Sequence, residues 1–246
     1  MKNEIKVTII TVAYNCASTI ATAIESVLNQ TYQNIEYLVI DGASKDKTVE
    51  IAEKYIPLFG EKGMMMKVIS EPDNGMYDAI VKGFEMATGD YIGLFDHDDI
   101  LHPSVLFESM KRICEEDADY VYCDEATFQS PDINDIIVLH FKPDYSKDNL
   151  RANNYICHFS VFARELLQQT ELFRSAYDGS QDHDMILRLT HQAKKICHIP
   201  RILYYWRSHP NSVAADINAK TYAIDAAKRA VHDHILDTEG IEVQVE

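Results

Sequence analysis

Short β-branched runs alternate along this chain with stretches whose apolar residues recur at helical spacing. Residues 6–14 are nearly continuous in apolar character through Val7, Ile9, Ile10 and Val12, which predicts a central parallel strand buried on both faces. Asn15 ends it. Ser18 or Thr19 can cap a helix whose apolar positions Ile20, Ala23, Ile24, Val27 and Leu28 share one face and which closes near Asn29. A second strand over 35–40 runs into Asp41-Gly42-Ala43-Ser44, where Gly42 permits a tight turn and Ser44 caps a helix carrying Val49, Ile51, Ala52 and Tyr55. Residues 65–69 predict a third strand, Pro72-Asp73-Asn74-Gly75 a turn, and 76–87 a helix with Ile80, Phe84 and Ala87 inward. A fourth strand follows over 91–95. Alternation of this kind builds an open, mostly parallel sheet flanked by helices, and such sheets bind ligands beyond the carboxyl ends of their strands.

The pattern changes after Pro103. A helix to about residue 116, a strand over 120–123 and an apolar run over 136–141 are followed by shorter aromatic runs over 156–162 and 202–206. These alternate with helices over 164–169 and 182–192, so the second half is expected to be mixed and to flank the parallel sheet. A last helix over 220–238, with Tyr222, Ile224, Ala227, Val231 and Ile235 on one face, is expected to pack outside the core. There is no internal repeat and no low-complexity linker, so the expectation is one α/β domain across 1–246.

Charge and composition narrow the partners. With 246 residues the chain can bury a full core, and its formal net charge of -16 argues against a nucleic-acid backbone or an anionic membrane as the main partner. A metal-bridged anionic ligand remains compatible with that charge. The cysteines Cys16, Cys114, Cys123, Cys157 and Cys197 form no C-x-x-C pair, which reads as a reduced interior. No signal-peptide h-region and no run of membrane-spanning length is present. The expectation is a soluble cytoplasmic protein without a transmembrane segment, with peripheral association at the inner face of the membrane left open.

The candidate chemistry centres on Tyr91-Ile92-Gly93-Leu94-Phe95-Asp96-His97-Asp98-Asp99, a buried-strand pattern that ends abruptly in carboxylates. Burying such charge without a counter-ion is expensive, so a cation is expected there. Hard carboxylate oxygens suit Mg2+ or Mn2+ carrying the phosphates of a nucleotide. Asp41 and Asn74 lie at other strand exits of the same sheet edge. Neither G-x-G-x-x-G after the first strand nor G-x-x-x-x-G-K-[ST] occurs, so a metal must do more of the phosphate binding.

At this point the motifs resemble the family 2 glycosyltransferases, nucleotide-sugar-dependent enzymes of the GT-A fold. The pieces are Thr11-Val12-Ala13-Tyr14-Asn15, Asp41-Gly42-Ala43-Ser44-Lys45-Asp46, Asp73-Asn74-Gly75-Met76-Tyr77-Asp78-Ala79, Asp96-His97-Asp98-Asp99, Gly179-Ser180-Gln181-Asp182-His183-Asp184 and Tyr205-Trp206-Arg207-Ser208-His209. Phe141-Lys142-Pro143-Asp144-Tyr145 through Asn154-Tyr155-Ile156-Cys157-His158 resembles a subgroup that builds bacterial surface polysaccharides, often as a module of larger enzymes. The resemblance implies inverting transfer of a sugar from a nucleotide-sugar donor, UDP-linked, to a hydroxyl of a glycan or lipid-linked acceptor. It implies a nucleotide-binding half over 1–100, an acceptor and catalytic half over 101–218 and a helical tail over 219–246.

Roles carry over residue by residue. Donor contacts are implied for Ala13, Tyr14, Asn15, Asn74 and Asp78, for Asp41 as acceptor from a uracil N–H, for Asp96 toward the ribose or a metal-bound water, and for Arg207 toward the diphosphate. Asp98 and His209 are implied as ligands of Mn2+ or Mg2+. Asp182 is implied as the general base, with Asp184 the runner-up; here Gln181-Asp182 stands where the family commonly has Glu-Asp. Asp99 is implied to orient the loop or the acceptor, on the acceptor side, and His158 to line the acceptor side. Plainer readings stand beside these: turns at Asp41 and Asn74-Gly75, a helix buttress at Asp78, solvent at Lys82, a first-turn carboxylate at Asp182 and satisfied histidines at His158 and His209. Two rival functions follow, a sugar-phosphate nucleotidyltransferase and a non-catalytic nucleotide-sugar-binding module. The missing glycine-rich basic loop after the first strand weighs against the former, and Asp182 against the latter.

Overall fold

Strand β1 (Val7–Ala13) lies between β2 (Ile35–Asp41) and β4 (Tyr91–Leu94), parallel to both. Pairing of Ala13 with Asp41 and of Ile10 with Leu94 brings the carboxyl ends of these strands side by side. On the far side of β2 runs β3 (Met65–Ser70), with Ser70 opposite Asp41. The arrangement is seen in a computed structural model that describes residues 5–129, 131–208 and 221–245. Beyond β4 the sheet turns mixed: β8 (Ser160–Ala163) is antiparallel to β4 and to β6 (Tyr120–Gln129), which runs parallel to β9 (Ile196–Ser208). The short β5 (Ile100–Leu101) pairs antiparallel with β9, and β7 (Ile136–His140) with β6. One mostly parallel sheet therefore has the order β3-β2-β1-β4-β8-β6-β9-β5, with β7 on β6.

Both faces are covered because successive strand residues point to opposite sides. Ile9, Tyr37 and Val39 belong to one apolar cluster with Ile24 and Val27 of α1 (Ile20–Leu28) and Leu106 and Met110 of α5 (Val105–Glu116). Ile10, Leu38, Ile40 and Ile92 belong to the other, with Ile80 and Phe84 of α4 (Met76–Met86) and Ile186 and Leu189 of α7 (Gln181–Gln192). Each cluster thus draws on helices from both halves of the chain.

Several expectations shift for physical reasons. The helix after β2 is split into α2 (Thr48–Glu53) and α3 (Ile56–Glu61). Ser44 does not cap α2, because its hydroxyl is spent on Asp41; Asp46 Oδ1 instead accepts from Thr48 N at 2.9 Å. The left-handed residue of that turn is Ala43 (φ 60), not Gly42, where a Cβ would lie 2.6 Å from the movable Asp73 Oδ2. Strand β8 starts at Ser160, not at 156, since Cys157 is left-handed (φ 33) and the carbonyls of Ile156 and His158 bind Lys142 instead of a neighbouring strand. Residues 164–169 form a 3-10 helix. The last helix, α8 (Thr221–Glu239), keeps Val231 and Ile235 of its expected face inward but not Tyr222 and Ile224. Ala226 and Ala230 are fully buried and Val231 joins the core, while Tyr222 and Ile224 stay exposed. A short α6 (Lys147–Ala152) is capped by Ser146, which accepts from Asn149 N. Among the described residues no helix is long and apolar enough to cross a membrane.

Gly93 allows Phe159 to close over β4, since a Cβ there would meet Phe159 Cζ at 2.7 Å and Ile9 Cδ1 at 3.1 Å. Gly93→Ala is expected to cost about 1–3 kcal/mol through overpacking, read as a lower urea midpoint. An unchanged midpoint would show that Phe159 yields without strain.

Candidate active site

One end of the candidate site is built by three neighbouring strand exits. Asp41, buried at the end of β2, accepts hydrogen bonds from Ser44 N at 2.9 Å, from Ser70 Oγ at 2.7 Å and from the Ser44 hydroxyl. Those contacts leave about one of its four lone-pair sites for a ligand N–H. Asn15, left-handed at φ 50, donates from its backbone N–H to Ser44 Oγ at 2.8 Å, and its side-chain oxygen accepts from Lys45 N at 2.8 Å. Asn15 therefore shapes the loop that flanks Asp41, while Tyr14 stands 60% exposed beside buried Ala13. Farther along the same edge, Asp78 Oδ2 accepts from Asn74 N at 3.1 Å, and Asp73 Oδ1 accepts from Gly75 N at 2.9 Å. The helix-start reading of Asp78 is thus the geometry observed. Lys82 is not free in solvent; it lies 3.2 Å from Glu71 and 3.7 Å from Asp78.

The acidic loop after β4 divides into outward and inward carboxylates. Asp96 and Asp98 are half-buried. Asp99, only 1% exposed, accepts from Arg207 N at 2.7 Å and from the Tyr204 hydroxyl. Burial pushes the Asp99 carboxyl well above the usual carboxylate range, and the neighbouring charge of Asp96 adds to it. Of the two roles implied for Asp99, the acceptor-side one is corrected and the loop-orienting one matches the geometry: it points into the protein and fastens β9 beneath the loop. Arg207 is likewise corrected from an open diphosphate contact. It is buried, its Nε donates to the carbonyl of Asp98, and its guanidinium lies 4.8 Å over the Phe128 ring.

Whether these residues suit a divalent ion is a question of donor chemistry. Among the described residues no three His, Cys, Asp or Glu side chains cluster as a ready-made cage. His209, the other implied ligand, lies outside the described residues. Asp96 and Asp98 supply hard oxygens at a loop with solvent access. That fits Mg2+ or Mn2+, which is usually held by one or two carboxylates together with substrate phosphates.

Two residues left without a role by the sequence, Glu125 and Lys142, meet His158 beside this loop. Glu125, on β6, pairs with buried Lys142 at 3.0 Å and lies 3.8 Å from His158 Nδ1. His158 Nε2 in turn lies 3.6 Å from Asp96 Oδ2, which corrects its placement from the acceptor side to the side of the acidic loop. The His158 ring stacks on Tyr204 at 5.3 Å. Burial alone would raise the Glu125 carboxyl, but His158 and Lys142 outweigh it and hold it down at about 2. Burial also works against a charged His158, yet Cys157, Glu125 and Asp96 together raise its pKa well above the usual imidazole value. The sign for Glu125 is that of a depressed acid: its stabilisation is present above the ordinary value near 4.5 and is lost as pH falls toward 2. Urea midpoints followed down through this window should fall less steeply in Glu125→Gln than in the parent protein. Equal slopes would remove this assignment. The sequence carries no local signal for this pair, because Glu125 lies on β6 and Lys142 in the segment after β7.

The remaining candidates lie at the start of α7. Asp182 sits in its first turn, is exposed, and accepts from Asn154 Nδ2 at 3.1 Å. Burial first and the charge of Asp182 second push the Tyr77 hydroxyl upward, so Asp182 is sensed at the start of α4. The turn before it is held from two sides. Gln181 Oε1 accepts from Gly179 N at 2.6 Å, and a Cβ at Gly179 (φ 97) would lie 2.6 Å from Tyr222 Cε2 of α8. Asp184 is corrected as a base candidate: it is buried and paired with Arg174 and, at 2.8 Å, with Arg188. His183, between the two acids, is buried with Nε2 2.7 Å from the carbonyl of Leu150.

Comparison with known proteins supplies the context. A profile described as "Glycosyl transferase family 2" matches residues 8–170. The O-antigen biosynthesis protein RfbC of Myxococcus xanthus is 30% identical over 212 residues, covering 85% of this chain and 16% of that protein. S. aureus TarS 1-349, solved in complex with UDP-GlcNAc, superposes with a TM-score of 0.76 at 16% identity, covering 95% of this chain and 67% of that one. The mannosyltransferase PcManGT from Pyrobaculum calidifontis, solved with GDP-Man and Mn2+, gives 0.65 at 17% identity, covering 98% and 66%. At such identities the two structures establish the fold, which is that of the GT-A glycosyltransferases. The chain spans 24%, 16% and 19% of the length of three curated relatives that it matches.

Proposed function

Because this chain belongs to glycosyl transferase family 2, we propose that it transfers a sugar from a UDP-linked donor to a hydroxyl of a glycan or lipid-linked acceptor, with inversion at the anomeric carbon. The observation that carries the reading is Asp182, an exposed carboxylate in the first turn of α7, oriented by Asn154. In this reading its carboxylate takes the proton of the acceptor hydroxyl as that oxygen attacks, and the bond from the anomeric carbon to the diphosphate breaks. Asp41 accepts from the uracil N–H, with Asn15 and the exposed Tyr14 ring beside it. Asp96 faces the ribose side. Asp98 would hold Mn2+ or Mg2+, which would offset charge on the leaving diphosphate. The cysteines, all free, support a cytoplasmic setting.

The test is incubation with a panel of nucleotide sugars and Mn2+, following nucleoside diphosphate by chromatography. Slow release without acceptor, faster with a suitable glycan, is the expected result. Pyrophosphate exchange would favour a nucleotidyltransferase, and tight binding without turnover a non-catalytic module. Removal of the ion with a chelator is expected to weaken UDP binding, measured by calorimetry. Equal affinity in its presence would exclude a metal role for Asp98.

A further inference from the structure

The buried ammonium of Lys142 has no part in the chemistry just described, yet every group it touches leads to the acidic loop. Its side chain is 4% exposed and its Nζ donates to Glu125 Oε2 at 3.0 Å, to the carbonyl of Ile156 at 2.8 Å and to the carbonyl of His158. These carbonyls flank Cys157, whose left-handed φ of 33 takes the backbone out of strand geometry before β8 begins. A bare segment of that shape would leave its carbonyls unsatisfied inside the protein, and the ammonium satisfies both. The same Glu125 oxygen that binds Lys142 is 3.8 Å from His158 Nδ1. The other ring nitrogen is 3.6 Å from Asp96 Oδ2, and the ring is fixed against Tyr204, whose hydroxyl donates to Asp99.

We infer that Lys142 is a positioning residue of the donor site, holding the His158 ring against Asp96 so that the Asp96 carboxylate is presented in a single orientation to the bound nucleotide. The inference rests on the proposed donor site. Lys142 acts through backbone carbonyls and Glu125 and does not itself reach the ligand. A long, flexible side chain is used because it alone can bridge β6, the segment after β7 and the turn before β8 at one point. Its charge is matched by Glu125, so the arrangement adds no net charge beneath the acidic loop.

Trp206 provides a readout that is independent of turnover. It is the chain's single tryptophan, half-buried, with its ring 6.2 Å from that of His158. Displacement of the imidazole therefore changes the indole's surroundings. Lys142→Met should alter Trp206 emission in the same direction as His158→Gln, and Lys54→Met, which breaks only the surface pair with Glu50, should not. UDP binding with Mn2+ should weaken about 10- to 100-fold in Lys142→Met. The double variant Lys142→Met/His158→Gln should be no weaker than His158→Gln alone, because the two residues act in series. Should Lys142→Met fail to fold through its orphaned partner, Lys142→Met/Glu125→Gln removes both charges together and is expected to show the same emission change and weakened binding. Emission and affinity equal to the parent in a folded Lys142 variant overturn the inference while leaving the donor-site reading intact. A parent protein that binds no nucleotide overturns that reading and the inference with it.

Discussion

Asp182→Asn is expected to lower turnover by about 10²- to 10⁴-fold while leaving UDP affinity close to that of the parent protein. Asparagine keeps the size of the side chain and can still bond to Asn154, but it cannot accept the acceptor's proton. The helix start should survive, because Ser180 precedes α7 without a side-chain cap and the turn is held by Gln181 and by α8 packing on Gly179. A loss in kcat without a matching rise in donor KM would mark a group used only in the transition state. Full turnover in this variant would require a different base, and Asp184 is not open for that role.

Asp184→Ala, two residues along, should act on stability. Its carboxylate is buried and meets Arg188 Nη2 at 2.8 Å and Arg188 Nε at 3.1 Å, as well as both Arg174 Nε at 3.3 Å and Arg174 Nη2. Removing it leaves guanidinium groups with a lost counter-charge in a half-buried place, a change that typically costs about 3–5 kcal/mol. The measurement is a urea or thermal midpoint on the Asp184→Ala protein, with Asp182→Asn as the control that should move little. A small shift would show that water or Glu171, 3.8 Å from Arg174, takes over the pairing. Two acids of one helix turn thus separate by environment, Asp182 exposed and Asp184 buried in an arginine pair.

Which acid was which could not be read from Gln181-Asp182-His183-Asp184. Helical periodicity places residues two apart on different faces, but not which face the neighbouring 3-10 segment and Arg174 will cover. The same limit applies at Asp96 to Asp99. Sequence marks a buried strand running into acids. Only the return of β9 beneath the loop, with Tyr204 and the Arg207 backbone N–H aimed at Asp99, turns one acid inward and leaves Asp96 and Asp98 toward solvent. The loop-flanking role of Asn15 and the Lys142–Glu125 pair share that character. Each joins residues remote in sequence, so neither leaves a periodic or local trace.

What the sequence by itself determined was the parallel half of the sheet, the helices on its two faces and the strand ends where polar residues collect. Those features follow from local periodicity and from the cost of burying unpaired polar groups, both of which act over a few neighbouring residues. The tertiary structure alone decided the length of β6 and β9, the exposure of Tyr222 and Ile224 on α8 and the fate of each carboxylate. Those depend on which partner arrives from elsewhere in the chain: a charge survives burial where an arginine, a lysine or a hydroxyl meets it, and otherwise it stays at the surface.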